Sequence, residues 1–212
     1  GGSRIFVNQK NSTQVLVYSP FRDENWHPIQ GASTAFSVTD YRICDDRMIV
    51  QCLDGVLMFD MQTQTLLWQR KTQNVAEDGL TLLGFSQDGN AVWFLDRQQN
   101  LICADAKTGA WQKFALPGTL SGISLSYDFS CIPQMQQDRI YLAAHNLTDQ
   151  FVVVWDCTQK QLSAWPVCAQ SADRLDDVKL LCVWQQMVYV WDAGSGSIVQ
   201  LHAADGTVTP IR

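Results

Sequence analysis

The sequence predicts an all-β protein assembled from repeated four-stranded antiparallel meanders. Three observations carry that expectation. The 212 residues include 19 Asp but only 2 Glu, with 22 Gln and 6 Lys; Asp suits turns and strand ends, whereas Glu and Lys suit helix surfaces. Short apolar runs alternate with polar or glycine-bearing turns, and no window combines a roughly 3.6-residue period with helix-forming surface positions. The runs also recur as a larger unit, which overrides any strand-by-strand reading.

Residues 4–30 open the chain with RIFVNQ, QVLVYSP and a segment around Trp26, three strands with the innermost missing. Residues 35–71 give AFSVTDYRIC, a turn at Asp45–Asp46, MIVQCLD, the hairpin signal Asp54–Gly55, VLMFDM and TLLWQR. The unit is clearest over residues 80–116, where LTLLGFS, AVWFLD, LICADA and WQKFAL are separated by QDGN, RQQN and KTGA. Four apolar runs joined by three turns predict an antiparallel meander. Residues 122–167 form a looser copy: ISLSYDFSCI, RIYLAAH, a long turn over Asn146–Asp149, FVVVWDC and LSAWPV. Residues 178–211 close with VKLLCVW, a Gln185–Gln186 turn, MVYVWDA, GSGS, IVQLHA, a turn at Asp205–Gly206 and TVTPIR. VYVWD is read there as part of the second strand rather than the third, because every turn then stays short.

The third strands end at Ser19, Asp60, Asp105, Asp156 and His202, spaced by 41, 45, 51 and 46 residues. A β-sandwich places turns every 8 to 12 or so residues without a longer period, whereas four strands per roughly 40 to 50 residues is the blade pattern of a β-propeller. About five blades are expected, forming a single domain or a fragment of one. FSQDGNAVWFLD, VVVWD and VYVWD resemble blades of WD-repeat and related propellers. CADAKTGAW and MFDMQTQTLLW resemble the third-to-fourth strand turn of quinoprotein-like propellers, an aspartate, a turn with glycine and then a tryptophan. The resemblance covers nearly the whole chain and implies an architecture without naming a subfamily.

Propellers protect their edges by closing radially, so an incomplete first blade needs a further strand. Either residues upstream of Gly1 supply it, or the blades belong to a larger propeller. The opening Gly1–Gly2–Ser3 reads as a linker remnant, which fits a natural chain extending upstream into further domains.

Composition narrows the function classes. At 46 % apolar residues the chain has enough to build a core. A net charge of −6 with scattered Lys and Arg gives no footprint for nucleic acid. No run reaches the 18 or so apolar residues of a membrane span. Seven Cys, an odd number without C-x-x-C spacing, sit in apolar runs and read as buried free thiols, which points to a reducing, cytoplasmic setting. His27, His145 and His202 lie far apart, so neither a metal nor another cofactor is expected.

Motifs that could carry chemistry resolve into structure. Ser86-Gln-Asp88-Gly-Asn90-Ala-Val-Trp93 resembles the Asp-box turn of glycan-acting propellers, which implies that Asp88 accepts backbone hydrogen bonds in a first hairpin with Trp93 packed beneath it. That motif stabilises a turn. The adjacent pairs Asp45–Asp46 and Asp176–Asp177 point to opposite faces if extended, so neither converges on a substrate. No nucleophile elbow or phosphate-cradling loop is present. Asn11-Ser-Thr13 and Asn146-Leu-Thr148 fit the glycosylation sequon, which matters only in a secreted protein. Most of the 8 Trp are expected between blades: Trp68, Trp111 and Trp165 in fourth strands, and Trp93, Trp155, Trp184 and Trp191 in or at the ends of other strands. Trp26, in the polar segment RDENWHP, is the expected exposed anchor.

In a meander, second-to-third turns and blade-to-blade connections share one face, and variable loops on a rigid scaffold are where recognition sits. The candidate binding residues there are Glu77, Asp78, Arg97, Asn146, Asp173, Arg174, Asp176 and Asp177, together with Trp26. Their acidity points to a protein or peptide partner of basic character. The expected function is a recognition or scaffolding propeller, not an enzyme, serving as the partner-binding or sensor module of a larger multidomain protein. The alternatives are a propeller enzyme acting on glycans or small substrates, and a periplasmic quinoprotein-like assembly protein.

Overall fold

The computed structural model describes residues 5–8, 15–18, 25, 27–28, 38–52, 55–71, 79–167, 178–192 and 196–209. Every regular element among them is a β-strand. The chain divides into two compact units, residues 1–115 and 116–212.

In the first unit, β1 (Ile5–Asn8), β2 (Val15–Tyr18) and β3 (His27–Pro28) make a three-stranded sheet. The second sheet runs in chain order through β4 (Val38–Cys44), β5 (Arg47–Cys52), β6 (Gly55–Asp60) and β7 (Thr65–Lys71). The third does the same through β8 (Thr81–Phe85), β9 (Ala91–Leu95), β10 (Asn100–Asp105) and β11 (Trp111–Ala115). All pairings are antiparallel, as expected of meanders joined by short turns.

Successive side chains of a strand point to opposite faces, and in β5 both faces are buried. Ile49 belongs to a cluster with Val56, Met58, Leu82, Val92, Phe94 and Ile102, which joins the second sheet to the third. Met48, Val50 and Cys52 belong to another, with Leu57, Phe59 and Met61. A near-continuous hydrophobic run such as MIVQC therefore marks a strand covered on both sides.

The second unit begins with a small hairpin, β12 (Thr119–Leu120) and β13 (Ile123–Ser124). Ser121 and Gly122 turn it with φ of 51° and 83°. Its first large sheet contains β14 (Ser126–Asp128), β15 (Gln134–Gln136), β16 (Arg139–His145), β17 (Gln150–Asp156) and β18 (Gln161–Val167). The expected single first strand ISLSYDFSCI, residues 123–132, is divided: it supplies β13 to the hairpin and β14 to this sheet, and β15 lies beyond its end. β14 and β15 both pair with β16, and residues 129–133 leave the ladder between them. Pro133 has no N–H to give, and the Asp128 carboxylate takes the Ser130 N–H at 2.8 Å. The last sheet is β19 (Val178–Trp184), β20 (Met187–Asp192), β21 (Ser197–His202) and β22 (Val208–Thr209). VYVWD thus lies in the second strand of its sheet, the placement that keeps the turns short. Gln185 and Gln186 form the β19–β20 turn, both left-handed at φ 46° and 65°.

The recurring aspartates explain the composition. Asp60, Asp105 and Asp156 each end a third strand, and one carboxylate oxygen caps the following turn. Asp60 Oδ1 accepts from Gln62 and Thr63 N–H at 2.8 Å each. Asp105 Oδ1 accepts from Lys107 and Thr108 at 3.0 and 2.6 Å, and Asp156 Oδ1 from Thr158 and Gln159 at 2.9 and 2.8 Å. His202 holds the same place in the last sheet, its Nδ1 accepting from Ala204 N–H at 3.3 Å. Ser19 lies outside the described residues. The next residue in each sheet (Met61, Ala106, Cys157, Ala203) donates its N–H to the carbonyl of the first-to-second turn, at 2.6 to 2.8 Å. Each of these four sheets is thereby tied by its own backbone across the end that carries both turns.

Two contacts between sheets also repeat. In the first unit Arg47, opening a second strand, donates to the Gly89 carbonyl of the third sheet at 2.6 Å. In the second unit Arg139, at the same position, donates to the Ala203 carbonyl of the last sheet at 2.6 Å. The fourth-strand Trp68 lies over Gly109 and donates from Nε1 to the Ala106 carbonyl at 3.1 Å, and Trp165 lies over Gly206 in the same way. The glycine and the tryptophan of the third-to-fourth strand motif thus meet across sheets, each glycine leaving room for the preceding sheet's indole.

Candidate functional site

The turns that join second to third strands are where the sequence places recognition, and two of the candidate residues are described there. Asp96, its side chain only 10 % exposed, organises the β9–β10 turn. Its oxygens accept from Asn100 N–H at 2.8 Å, from the Asn100 amide at 2.9 and 3.0 Å, and from the Lys113 ammonium at 2.8 Å. Burial works against the charge on Asp96, but these hydrogen bonds outweigh it and hold the carboxyl below its ordinary range. The turn so fixed presents Arg97 to solvent, and the arginine stem lies across Gly79, whose φ of +58° suits glycine.

Asn146 begins the β16–β17 turn and is spent on building it. Its Oδ1 accepts from Thr148 N–H at 2.7 Å, Asp149 N–H at 2.6 Å and the Thr148 hydroxyl at 3.0 Å. The side chain this turn displays is Leu147, 96 % exposed. In the sequence its only signal is an apolar residue inside an Asn-x-Thr turn. Trp26, Glu77, Asp78, Asp173, Arg174, Asp176 and Asp177 lie outside the described residues.

A further polar cluster joins first strands of neighbouring sheets in the second unit. Lys179 of β19 donates to Asp128 Oδ2 and to the Ser130 hydroxyl, both at 3.1 Å. Burial opposes the charge on Asp128, and hydrogen bonds from Ser130 and Lys179 overcome it, so its carboxyl is held below its ordinary value. Tyr127 beside it is pushed up to about 12 by burial and donates to the Pro117 carbonyl at 2.9 Å.

In the Ser86–Trp93 motif the Asp88 carboxylate holds the β8–β9 turn. Asp88 Oδ1 receives the Ser86 hydroxyl at 2.6 Å and the Asn90 N–H at 3.0 Å, and Oδ2 the Asn90 amide at 2.9 Å. Gly89 takes φ 67° in the turn. Hydrogen bonds from the Ser86 side chain, then from the Asn90 backbone and side chain, hold the Asp88 carboxyl down at about 2 against an ordinary 3.8. Asp60 and Asp105 are also lowered, first by the Thr63 and Thr108 N–H groups. A carboxyl depressed in the fold stabilises it above the unfolded value, and that stabilisation is lost as pH falls through the folded value. For Asp88 the window runs from 3.8 down to about 2. Urea unfolding across that window is expected to show stability falling with pH, and Asp88→Asn to flatten the fall; an unchanged slope would refute this role.

The adjacent Asp45 and Asp46 form the two-residue β4–β5 turn, with Asp45 at φ 49°. Among the described residues no three His, Cys, Asp or Glu side chains gather as a metal site, and no helix is long and apolar enough to cross a membrane. Of the six described cysteines Cys52, Cys131 and Cys157 are buried, Cys44 and Cys103 partly so, and Cys182 is exposed. Trp93 and Trp155 lie in the core as expected, whereas Trp184 and Trp191 do not, at 57 % and 40 % exposed. They sit on the outward side of the last sheet, away from the cluster that buries its other side.

No protein-family model matches the chain, and no curated protein does. Solved structures do. BamB from Moraxella catarrhalis is 14 % identical, with a TM-score of 0.53, over 93 % of this chain and 54 % of that one. The dihydro-heme d1 dehydrogenase NirN is 14 % identical, with a TM-score of 0.60, over 99 % of this chain and 43 % of that one. The WD40 repeats of RRP9 are 10 % identical, with a TM-score of 0.54, over 97 % and 58 % respectively. The chain therefore spans about half the length of the structures it matches. Their fold, together with the repeated four-stranded antiparallel sheets, gives this chain the β-propeller fold.

Proposed function

We propose that this chain is a protein- or peptide-binding propeller module of a larger protein, without catalytic activity of its own and working in the cytoplasm. The observation that carries the reading is Leu147, an almost fully exposed apolar side chain held on a turn fixed by three hydrogen bonds to Asn146. A rigid apolar knob loses little entropy on docking and suits a binding anchor. The carboxylates favour the same reading: Asp60, Asp88, Asp96, Asp105 and Asp156 are all engaged in capping turns. The acidic loop residues Glu77, Asp78, Asp173, Asp176 and Asp177 favour a basic partner segment.

Affinity capture followed by direct titration of the captured partner tests this. Leu147→Asp is expected to weaken binding by about tenfold or more, the size of a hot-spot loss, with the melting temperature unchanged. Reversing Asp173, Asp176 and Asp177 to Lys is expected to weaken binding further and to reduce its salt dependence. Full affinity in both variants would remove the site from this face.

A further inference from the structure

The last sheet has one side in a core and one side in solvent, and its register identifies the solvent side. Paired residues of adjacent strands share a face. Trp191 pairs with Ile198, Tyr189 with Gln200, and Met187 with His202. On β19, Cys182 pairs with Tyr189 and Trp184 with Met187, so they join the same side. Trp184, Trp191 and Ile198 are 57 %, 40 % and 46 % exposed, and Cys182 is exposed beside them. Val188, Val190, Val199 and Leu201 occupy the opposite, buried side.

The repeat shows what these positions do elsewhere. Counting from the residue that opens the second strand, Tyr189 and Trp191 correspond to Ile49 and Gln51 in the second sheet and to Tyr141 and Ala143 in the sheet of β16. Gln200 and Ile198 correspond to Met58 and Val56, and to Val154 and Val152. None of those eight counterparts is more than 6 % exposed. In the first unit Ile49, Val56 and Met58 pack on Leu82, Val92 and Phe94 of the next sheet, and Gln51 donates to the Leu80 carbonyl there at 2.8 Å. In the second unit Tyr141, Ala143, Val152 and Val154 pack on Val188, Val190, Val199 and Leu201. The same four positions make the sheet-to-sheet interface in both units, whereas in the last sheet Trp191 and Ile198 are exposed and Tyr189 and Gln200 only partly buried.

We infer that the Trp184, Tyr189, Trp191 and Ile198 face of the last sheet is a blade-docking interface, and that its occupant is a further four-stranded blade of a longer form of this polypeptide. That blade presents an aliphatic side like the one formed by Val188, Val190, Val199 and Leu201. The match to the RRP9 WD40 repeats supports the choice of occupant, because 97 % of this chain accounts for only 58 % of that repeat structure. The inference does not depend on the binding site proposed at Leu147, which lies on a turn of a different sheet.

Cys182 supplies a built-in probe. Alkylation by iodoacetamide, read at this residue by mass spectrometry, compares the 212-residue chain with the longest natural form of the polypeptide. Cys182 is expected to react as an exposed thiol in the former and at least about tenfold more slowly in the latter, as a group in a closed interface does. Trp191→Ser is expected to leave the melting temperature of the 212-residue chain within about 2 °C and to lower that of the longer form by more than about 5 °C. Equal labelling of the two forms would overturn the inference, as would a natural polypeptide with no further four-strand repeat. Protection already present in the 212-residue chain would also overturn it, since the chain, or a second copy if the protection grows with concentration, would then cover the face.

Discussion

Gly206→Val is expected to lower stability by about 2 to 5 kcal/mol, the sum of a backbone cost and a packing cost. The backbone cost arises because Gly206 has φ +75°, a conformation that a β-branched residue adopts with strain. The packing cost arises because a Cβ there would collide with the Trp165 indole and stand 2.7 Å from the Trp165 Cβ, near the backbone, which no rotamer change relieves. Trp165 packs against the core cluster of the second unit and lies 6.3 Å from the Tyr141 ring, so displacing it opens that core. Gly196→Val separates the two costs. Gly196 has φ +71° but nothing within 4 Å of its would-be Cβ, so only the backbone share, about 1 to 2 kcal/mol, is expected there. Urea denaturation of both variants checks this, and equal losses would remove the tryptophan-on-glycine contact as a stabilising element.

Trp93→Ala is expected to cost about 3 to 5 kcal/mol, the range for truncating a buried aromatic residue. Trp93 is 2 % exposed, pairs with Cys103 on β10 and stacks on Phe114 of β11 at 5.8 Å between ring centroids. Removing it leaves a large void in a sheet whose other face depends on Phe94, stacked on Trp111 at 5.3 Å. Trp93→Phe retains most of the apolar area and is expected to lose less than half as much. Chemical denaturation of the pair checks both values. Similar losses for Ala and Phe would show that the indole, rather than its volume, is what the site requires.

Much of the architecture was legible because its signals are local. An aspartate at a strand end followed by a threonine-bearing turn is a short hydrogen-bonded motif, and Asp60 and Asp105 behave as their sequence neighbourhoods imply. The placement of VYVWD followed from turn length alone. Gln185 and Gln186 close that turn in a left-handed conformation, showing that a two-residue hairpin can override the ordinary preference for Asn-Gly. The divided first strand before β16 was less legible. Tyr127, Phe129 and Ile132 read as one continuous β run, yet the chain leaves the ladder between Asp128 and Gln134, where Pro133 has no N–H to offer.

The candidate site was legible in outline only. Arg97 is exposed on its turn, whereas Asn146 serves its own turn and Leu147 is the residue shown to solvent. Hydropathy assigns a lone leucine to a core unless the turn that expels it is seen. Trp184 and Trp191 carry the same lesson: their strands alternate as the buried strands do, and the presence or absence of a neighbouring sheet leaves no trace in the local pattern.

By itself, then, the sequence determined the strands, the turns and their repetition, because these depend on backbone preferences and hydrogen bonds within a few residues. Only the tertiary structure decided which apolar faces meet another sheet and which remain open. Burial depends on what lies across roughly 10 Å of space from a strand, and that neighbour is supplied by residues far away in the chain.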